Sequence, residues 1–360
     1  LIMSVDLPYT SGYNNQYQNL GQTTTRGFEA TLNANLINRK DFYLDFNFNI
    51  GFNKCIVDKL YGTDNTSMIF SAGGNFPEIG SDNYRIFEGQ EVGLMYGYVC
   101  DGMYGFDEFT YDPVTQRWQP NEGTVDCSGV LTRAKEHYGP GHLKLKDLSG
   151  PEGVPDGIID ADNDRKVIGH ARPKHTGGFG FQAGFKGFDL TALFNWSYGN
   201  DIFNADKVDY TSYALSQRFQ NMSTIMRLEN RFSLIDPETG YNIYAGAHAN
   251  PERLQEINKN KTMWHPMHNA TVNTDWMIED GSFLRLGTLS IGYTLPKTLT
   301  RKVGINNARF YVTGNNVFCL TGYSGQDPEV NTSSNIMVQG FDRSAYPKSR
   351  TWIIGTNITF

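Results

Sequence analysis

The chain has 360 residues, of which 39% are hydrophobic, 13% aromatic and 19% charged, and its net charge is −7. That apolar content excludes a disordered chain, and an acidic balance without a basic stripe interleaved with aromatics excludes a partner such as nucleic acid. A mean hydropathy of −0.46 and the lack of an apolar run of roughly 18 residues exclude a membrane-spanning helix, but not a membrane β-barrel, whose strands show lipid only every second side chain.

With 23 Phe, 20 Tyr and 38 Gly, the composition favours pleated strands and tight turns, and the fold class read from it is all-β. The opening Leu1-Ile2-Met3-Ser4-Val5-Asp6 lacks the charged start and long apolar stretch of a signal peptide, so the chain reads as beginning partway through a longer protein. The first strong pattern lies in Gly27 to Leu36, where Phe28, Ala30, Leu32, Ala34 and Leu36 oppose Gly27, Glu29, Thr31, Asn33 and Asn35. A polar link, Asn38 to Lys40, leads into a strand with Phe42, Leu44, Phe46, Phe48, Ile50 and Phe52 on one face and Asp45, Asn47 and Asn49 on the other.

A second hairpin sets Phe179, Phe181, Ala183 and Phe185 against a return strand with Phe188, Leu190, Ala192, Phe194 and Trp196, turning at Lys186-Gly187; Leu193 alone breaks the alternation. A third, weaker hairpin carries Leu289, Ile291 and Tyr293, then Phe310 and Val312 after a link from Pro296 to Asn306. The last strand, Lys348 to Phe360, presents Trp352, Ile354, Ile358 and Phe360. Between hairpins the links are long: Lys54 to His175, Tyr198 to Glu279 and Thr321 to Lys348. Short turns at one end and long loops at the other predict an outer-membrane barrel with periplasmic turns and extracellular loops. Leu1 to Leu7 would be the tail of an earlier upward strand, giving about eight strands of a larger barrel. Asp206 to Glu229 predicts a helix above the rim.

Several motifs carry a family resemblance. Asn19-Leu20-Gly21 through Arg26-Gly27-Phe28-Glu29, Tyr96-Gly97-Tyr98 with Asp101-Gly102, and Asp280 through Leu286 follow one another in order. Asn315-Asn316-Val317-Phe318, Thr321 through Gly325, Asp327-Pro328-Glu329 and Tyr346-Pro347 complete the set. Together they resemble the SusC/RagA-like TonB-dependent outer-membrane transporters. The resemblance implies that residues 1–360 are the C-terminal part of a 22-stranded antiparallel barrel whose plug and earlier strands lie outside this sequence. It further implies location in the outer membrane of a Gram-negative bacterium and active import of oligosaccharide or peptide without bond chemistry. The partners implied are a SusD-like surface lipoprotein, outer-membrane lipid and TonB, and Phe360 would be an assembly signal. Two other readings remain open at this stage: a secreted all-β carbohydrate-active enzyme or lectin, and a passive porin or adhesin.

The candidate sites are few. Asp147, Ser149, Asp156, Gly157, Asp160, Asp162 and Asp164 cluster around a glycine with spacing akin to a calcium loop, so Asp147, Asp156, Asp160 and Asp164 are candidate calcium ligands; the alternative is a solvated loop of Asx-turns. No other cofactor is expected. Trp118, Trp264 and Trp276 fall in the long loops and would contact substrate or a capping partner, unless they form small cores there. His265 and His268 are spaced HxxH without an obvious further ligand. The GxGxxA run from Gly178 to Ala183 matches a dinucleotide fingerprint but continues as a strand, where the fingerprint needs a helix. Cys55, Cys100, Cys127 and Cys319 form no CxxC pair.

Overall fold

The computed structural model describes residues 2–19, 21–60, 67–70, 82–131, 139–211, 221–266, 272–335 and 337–360. Seven strands form one antiparallel sheet in chain order. They are β1 (Gly21–Arg39), β2 (Phe42–Leu60), β3 (His175–Phe185), β4 (Phe188–Tyr198), β5 (Phe283–Thr294), β6 (Asn307–Thr321) and β7 (Thr351–Thr359). Period-two alternation sorts each strand, and register joins the faces across the sheet. Ile37, Leu44, Ala183, Leu190, Ile291, Val312 and Ile354 stand side by side on one face, while Asn35, Asp45, Gln182, Thr191, Ser290 and Thr313 form the neighbouring row on the other.

The apolar face looks outward. Phe28 is 64% exposed, Phe188 56% and Ile354 83%. In water such a continuous apolar surface would drive association, whereas in hydrocarbon it is the solvated side. A secreted enzyme or lectin would bury such a face between two sheets, and among the described residues no second sheet covers it. From Phe42 to Phe52 the apolar run covers 11 residues, and at about 3.3 Å per residue and a usual tilt this matches an apolar band of about 25 Å.

Two details correct the expected strand boundaries. The first turn lies at Lys40-Asp41, one residue later than the polar link suggested, and a bulge at Leu36 lets Ile37 take the place opposite Leu44. Leu193 follows the polar face because Gly180 opposite it leaves the space that its side chain fills. The turn at Lys186-Gly187 has positive φ at both positions, 46° and 93°, the mirror-image geometry that suits strand twist. The Pro296 to Asn306 link contains a short helix, Lys297–Thr300, and a 3-10 turn, Arg301–Val303. Leading into β1, Asn15–Asn19 pairs antiparallel with Ile2–Asp6, in accord with an earlier strand at the N-terminal side. Among the described residues β1 and β7 are the two edges of the sheet, and it does not close into a barrel.

At the end opposite the two-residue turns, the long links fold together. Tyr84–Phe87, Leu94–Gly97 and Lys166–His170 form a small sheet with Ser67–Phe70. A conventional core gathers Tyr104, Leu131 and Leu143 from the first link with Phe232, Leu254 and Trp264 from the second. The third link joins where Phe341 pairs in parallel with Phe203. Within the expected helix over Asp206 to Glu229, the described residues show a helix at Ala205–Asp209 and a 3-10 turn at Thr224–Met226, and residues 212–220 lie outside the described residues. A helix that sequence reasoning missed, Pro251–Asn258, carries its own start signal: the Asn250 side chain accepts from Arg253 N, Pro251 opens the first turn and Glu252 follows.

Candidate functional site

The polar face of the sheet is the first candidate surface, because it carries the hydrogen-bonding side chains that a polar ligand would meet. Near the turns, Arg309 grips Asp189 with two hydrogen bonds, Nε at 2.9 Å and Nη2 at 2.5 Å, and lies over the Tyr311 ring. Higher up, Asn49, Thr176, Asn195, Asn200, Glu329 and Asn331 line a cavity of about 610 Å³. Side-chain amides both donate and accept, so this lining suits a ligand with alternating carbonyl, amide or hydroxyl groups.

The roof of that cavity is fastened by Arg285, which is 4% exposed. Its Nη2 donates to Asp327 at 2.6 Å, its Nε lies 3.0 Å from Glu329, and Nη1 meets the Asn316 side-chain oxygen. Asn316 reaches this position through a bulge between β5 and β6 and a left-handed φ of 53°, which Asn tolerates better than most residues. Lys348 adds a contact to Glu329 at 2.5 Å. Thus the Asp327-Pro328-Glu329 motif is a tether holding the third link against the wall. Spacing alone does not reveal that pairing, since Arg285 and Asp327 lie 42 positions apart.

Two of the three tryptophans are buried in the loop core. Trp118 is buried and its indole donates to the Tyr244 carbonyl at 3.0 Å; Trp264 is buried edge-on to Trp276 at 4.8 Å. Trp118 and Trp264 therefore belong to the loop core and do not present rings to a ligand. Trp276 is half-buried under the Lys207 ammonium.

The acidic cluster is organised by backbone amides. Asp164 is fully buried and accepts from Leu148 N, Ser149 N and Asp160 N at 2.8, 3.3 and 2.8 Å. Asp147 Oδ2 accepts from Gly157 N at 2.6 Å, and Asp156 from Ile158 N at 3.0 Å. The Asn163 side chain and the amides of Asn163 and Asp162 hold the Asp160 carboxyl below the usual carboxylate range. One oxygen, Asp147 Oδ1, is buried without a hydrogen-bond partner. Among the described residues no three His, Cys, Asp or Glu side chains gather around one point as metal ligands.

His265 joins His142, not a neighbour in sequence, with Nε2 atoms 3.1 Å apart inside the loop core. Its HxxH partner, His268, lies outside the described residues. The GxGxxA run is strand throughout, and Phe360 ends the chain one residue past β7, with its ring exposed.

No family model matches the chain. Among characterised proteins it is 30% identical to TonB-dependent receptor P3 of Formosa agariphila, with all of this chain aligned to 31% of that receptor. It is 28% identical to TonB-dependent receptor P39 of the same organism, over 32% of that receptor, and 26% identical to TonB-dependent receptor SusC of Bacteroides thetaiotaomicron, over 29%. Solved structures also match its whole length. The RagAB peptide transporter gives a TM-score of 0.64 at 20% identity over 32% of its chain, and the RagAB peptide importer in the open-open state 0.67 at 21% over 31%. At that identity the structures speak for the fold alone. The chain spans about a third of the length of the relatives it matches. Over its whole length the chain is similar to part of the TonB-dependent receptors of the SusC/RagA-like family.

Proposed function

We propose that this chain is the C-terminal part of the wall of an outer-membrane importer that takes up a large polar nutrient, an oligosaccharide or a peptide. The observation that carries the reading is the pairing of a lipid-facing apolar surface with an amide-lined cavity on the opposite face of the same sheet. The whole importer, in this reading, is a barrel of 22 strands with a plug, energised through TonB and capped by a SusD-like surface lipoprotein. Support for the cap is the RagAB match together with a loop domain that has its own core and so offers a firm platform.

The test is uptake by cells expressing the full-length receptor and its lipoprotein neighbour. Labelled peptide or oligosaccharide should enter only when TonB is functional, and Asn49→Ala with Asn195→Ala should lower uptake without lowering receptor abundance. Entry that continues without TonB would favour a passive porin. In the same reading Phe360 is a terminal assembly signal, because an open sheet edge is not tolerated in hydrocarbon and the last strand must be closed efficiently. Deleting Phe360 should reduce outer-membrane abundance and the heat-sensitive gel shift; unchanged values would remove that role.

A further inference from the structure

A second cavity, of about 1090 Å³, opens on the outward face of the wall, away from the transport surface. Strand parity places its lining: Phe28 and Phe52 face each other across β1 and β2 on the lipid side, and Arg26 and Lys54 follow two positions further along each strand on that same side. Arg172 and Lys174, on the segment leading into β3, complete the cationic rim.

The level of the cavity relative to the bilayer is marked by rings. Phe52 lies 5.6 Å from His175, His175 stacks on Tyr198 at 5.0 Å, and the Trp196 indole donates to His175 Nδ1 at 3.0 Å. Such an aromatic row is the signature of the membrane interface, where amphipathic rings sit at headgroup depth. Two residues beyond it, at about 3.3 Å of rise each, Arg26 and Lys54 stand just above the hydrocarbon, at the depth of lipid phosphates. Arg172 and Lys174 precede His175 at the same end of the strand.

Charge then selects the occupant. Three carboxylates also border the cavity: Glu91 pairs with Lys54 at 3.2 Å, Asp201 accepts the His170 amide at 2.7 Å and feels the Lys174 charge, and Asp280 accepts the Ser282 amide at 2.8 Å. Arg26, Lys54, Arg172 and Lys174 outnumber them. Among the described residues Arg26, Arg172 and Lys174 enter no ion pair, and Arg26 and Lys174 are exposed. An excess of cations over an aromatic floor on a lipid-facing wall complements an anionic group attached to acyl chains. We propose that this cavity binds the phosphorylated headgroup of an outer-leaflet lipid, with Arg26, Arg172 and Lys174 holding the phosphate and Phe28, Phe52 and Tyr198 meeting the start of the acyl region.

The experiment uses the full-length receptor in an uncharged detergent, titrated with bisphosphorylated lipid A, with the same lipid after removal of its phosphates, and with inorganic phosphate, binding being read by native mass spectrometry. The phosphorylated lipid should bind about tenfold tighter than the dephosphorylated one, and Arg26→Gln with Lys174→Gln should remove that advantage, while Arg26→Lys keeps most of it. The advantage should shrink as salt rises. Equal binding of the two lipids, or an advantage that survives the double substitution, overturns the proposal. Competition by inorganic phosphate at the affinity of the lipid would make this a soluble-anion site and also overturn it. Folding of the variants is checked by the heat-sensitive gel shift; if the double variant fails to assemble, the two lipids on the unaltered receptor decide the matter.

Discussion

The wall and the loop domain are made by one chain for two solvents. In the loop domain the large side chains go inside: Tyr104 is 1% exposed and Phe232 2%. In the wall, Phe28, Phe188 and Ile354 point out, and the inner face carries Asn, Gln, Thr and Asp. The lesson is that exposure does not measure contribution. An apolar side chain facing lipid loses nothing by being uncovered there, because acyl chains are as apolar as a protein core, whereas in the loop domain the same exposure would forfeit the hydrophobic effect.

The sharpest way to break this contrast is truncation on each side. Phe232→Ala should cost about 3 to 5 kcal/mol of loop-domain stability, since its ring lies directly on the Gly141 backbone and a cavity would remain. Ile354→Ala should cost about 1 kcal/mol or less, because lipid fills the space. Thermal unfolding of the full-length receptor in detergent reads both; similar losses would show that the wall is packed against protein on its outer face.

The join between the regions gives an effect of comparable size. Arg285→Ala leaves Asp327 with its charge buried and unmatched, at a cost of about 3 to 5 kcal/mol, and should release the Thr321 to Lys348 link to protease. Adding Asp327→Ala should recover part of the loss, and strict additivity of the two substitutions would show that they do not act as a pair. Next comes the assignment of faces. Phe46→Arg should lower assembled receptor through a cost of about 2 to 4 kcal/mol at mid-membrane, while Asn47→Arg on the inner face should be much milder. Equal tolerance, read as outer-membrane abundance, would count against the faces.

The contrast also explains what was legible in the sequence. The wall strands could be read because their pattern is local: every second residue from Phe42 to Phe52 is apolar, and Lys186-Gly187 announces its turn. Bulges at Leu36 and Gly287 escaped, since a bulge is set by the partner strand as much as by its own residues. The loop core was illegible for a different reason. Trp118 meets Tyr244 across 126 positions and His142 meets His265 across 123, and no window along the chain contains both members of either pair. The tryptophans therefore looked like binding residues because their burial depends on contacts that only the fold brings together. For the acidic cluster, residue types and spacing were readable, but the direction of each carboxylate was not.

One strand belongs to both regions. Between Phe42 and Gly51, β2 pairs with β3; beyond it, the same strand hydrogen-bonds with the segment at Gly89 to Val92, through Val57 N to Gln90 O at 3.0 Å, Gly89 N to Val57 O at 2.7 Å and Val92 N to Cys55 O at 3.2 Å. With 19 residues, β2 is far longer than the roughly 9 to 11 needed to cross a bilayer. A continuous strand with partners in both regions acts as a mast: a pull on the loops is carried down the backbone into the wall, and the first link cannot swing away as a free flap without breaking those bonds in series.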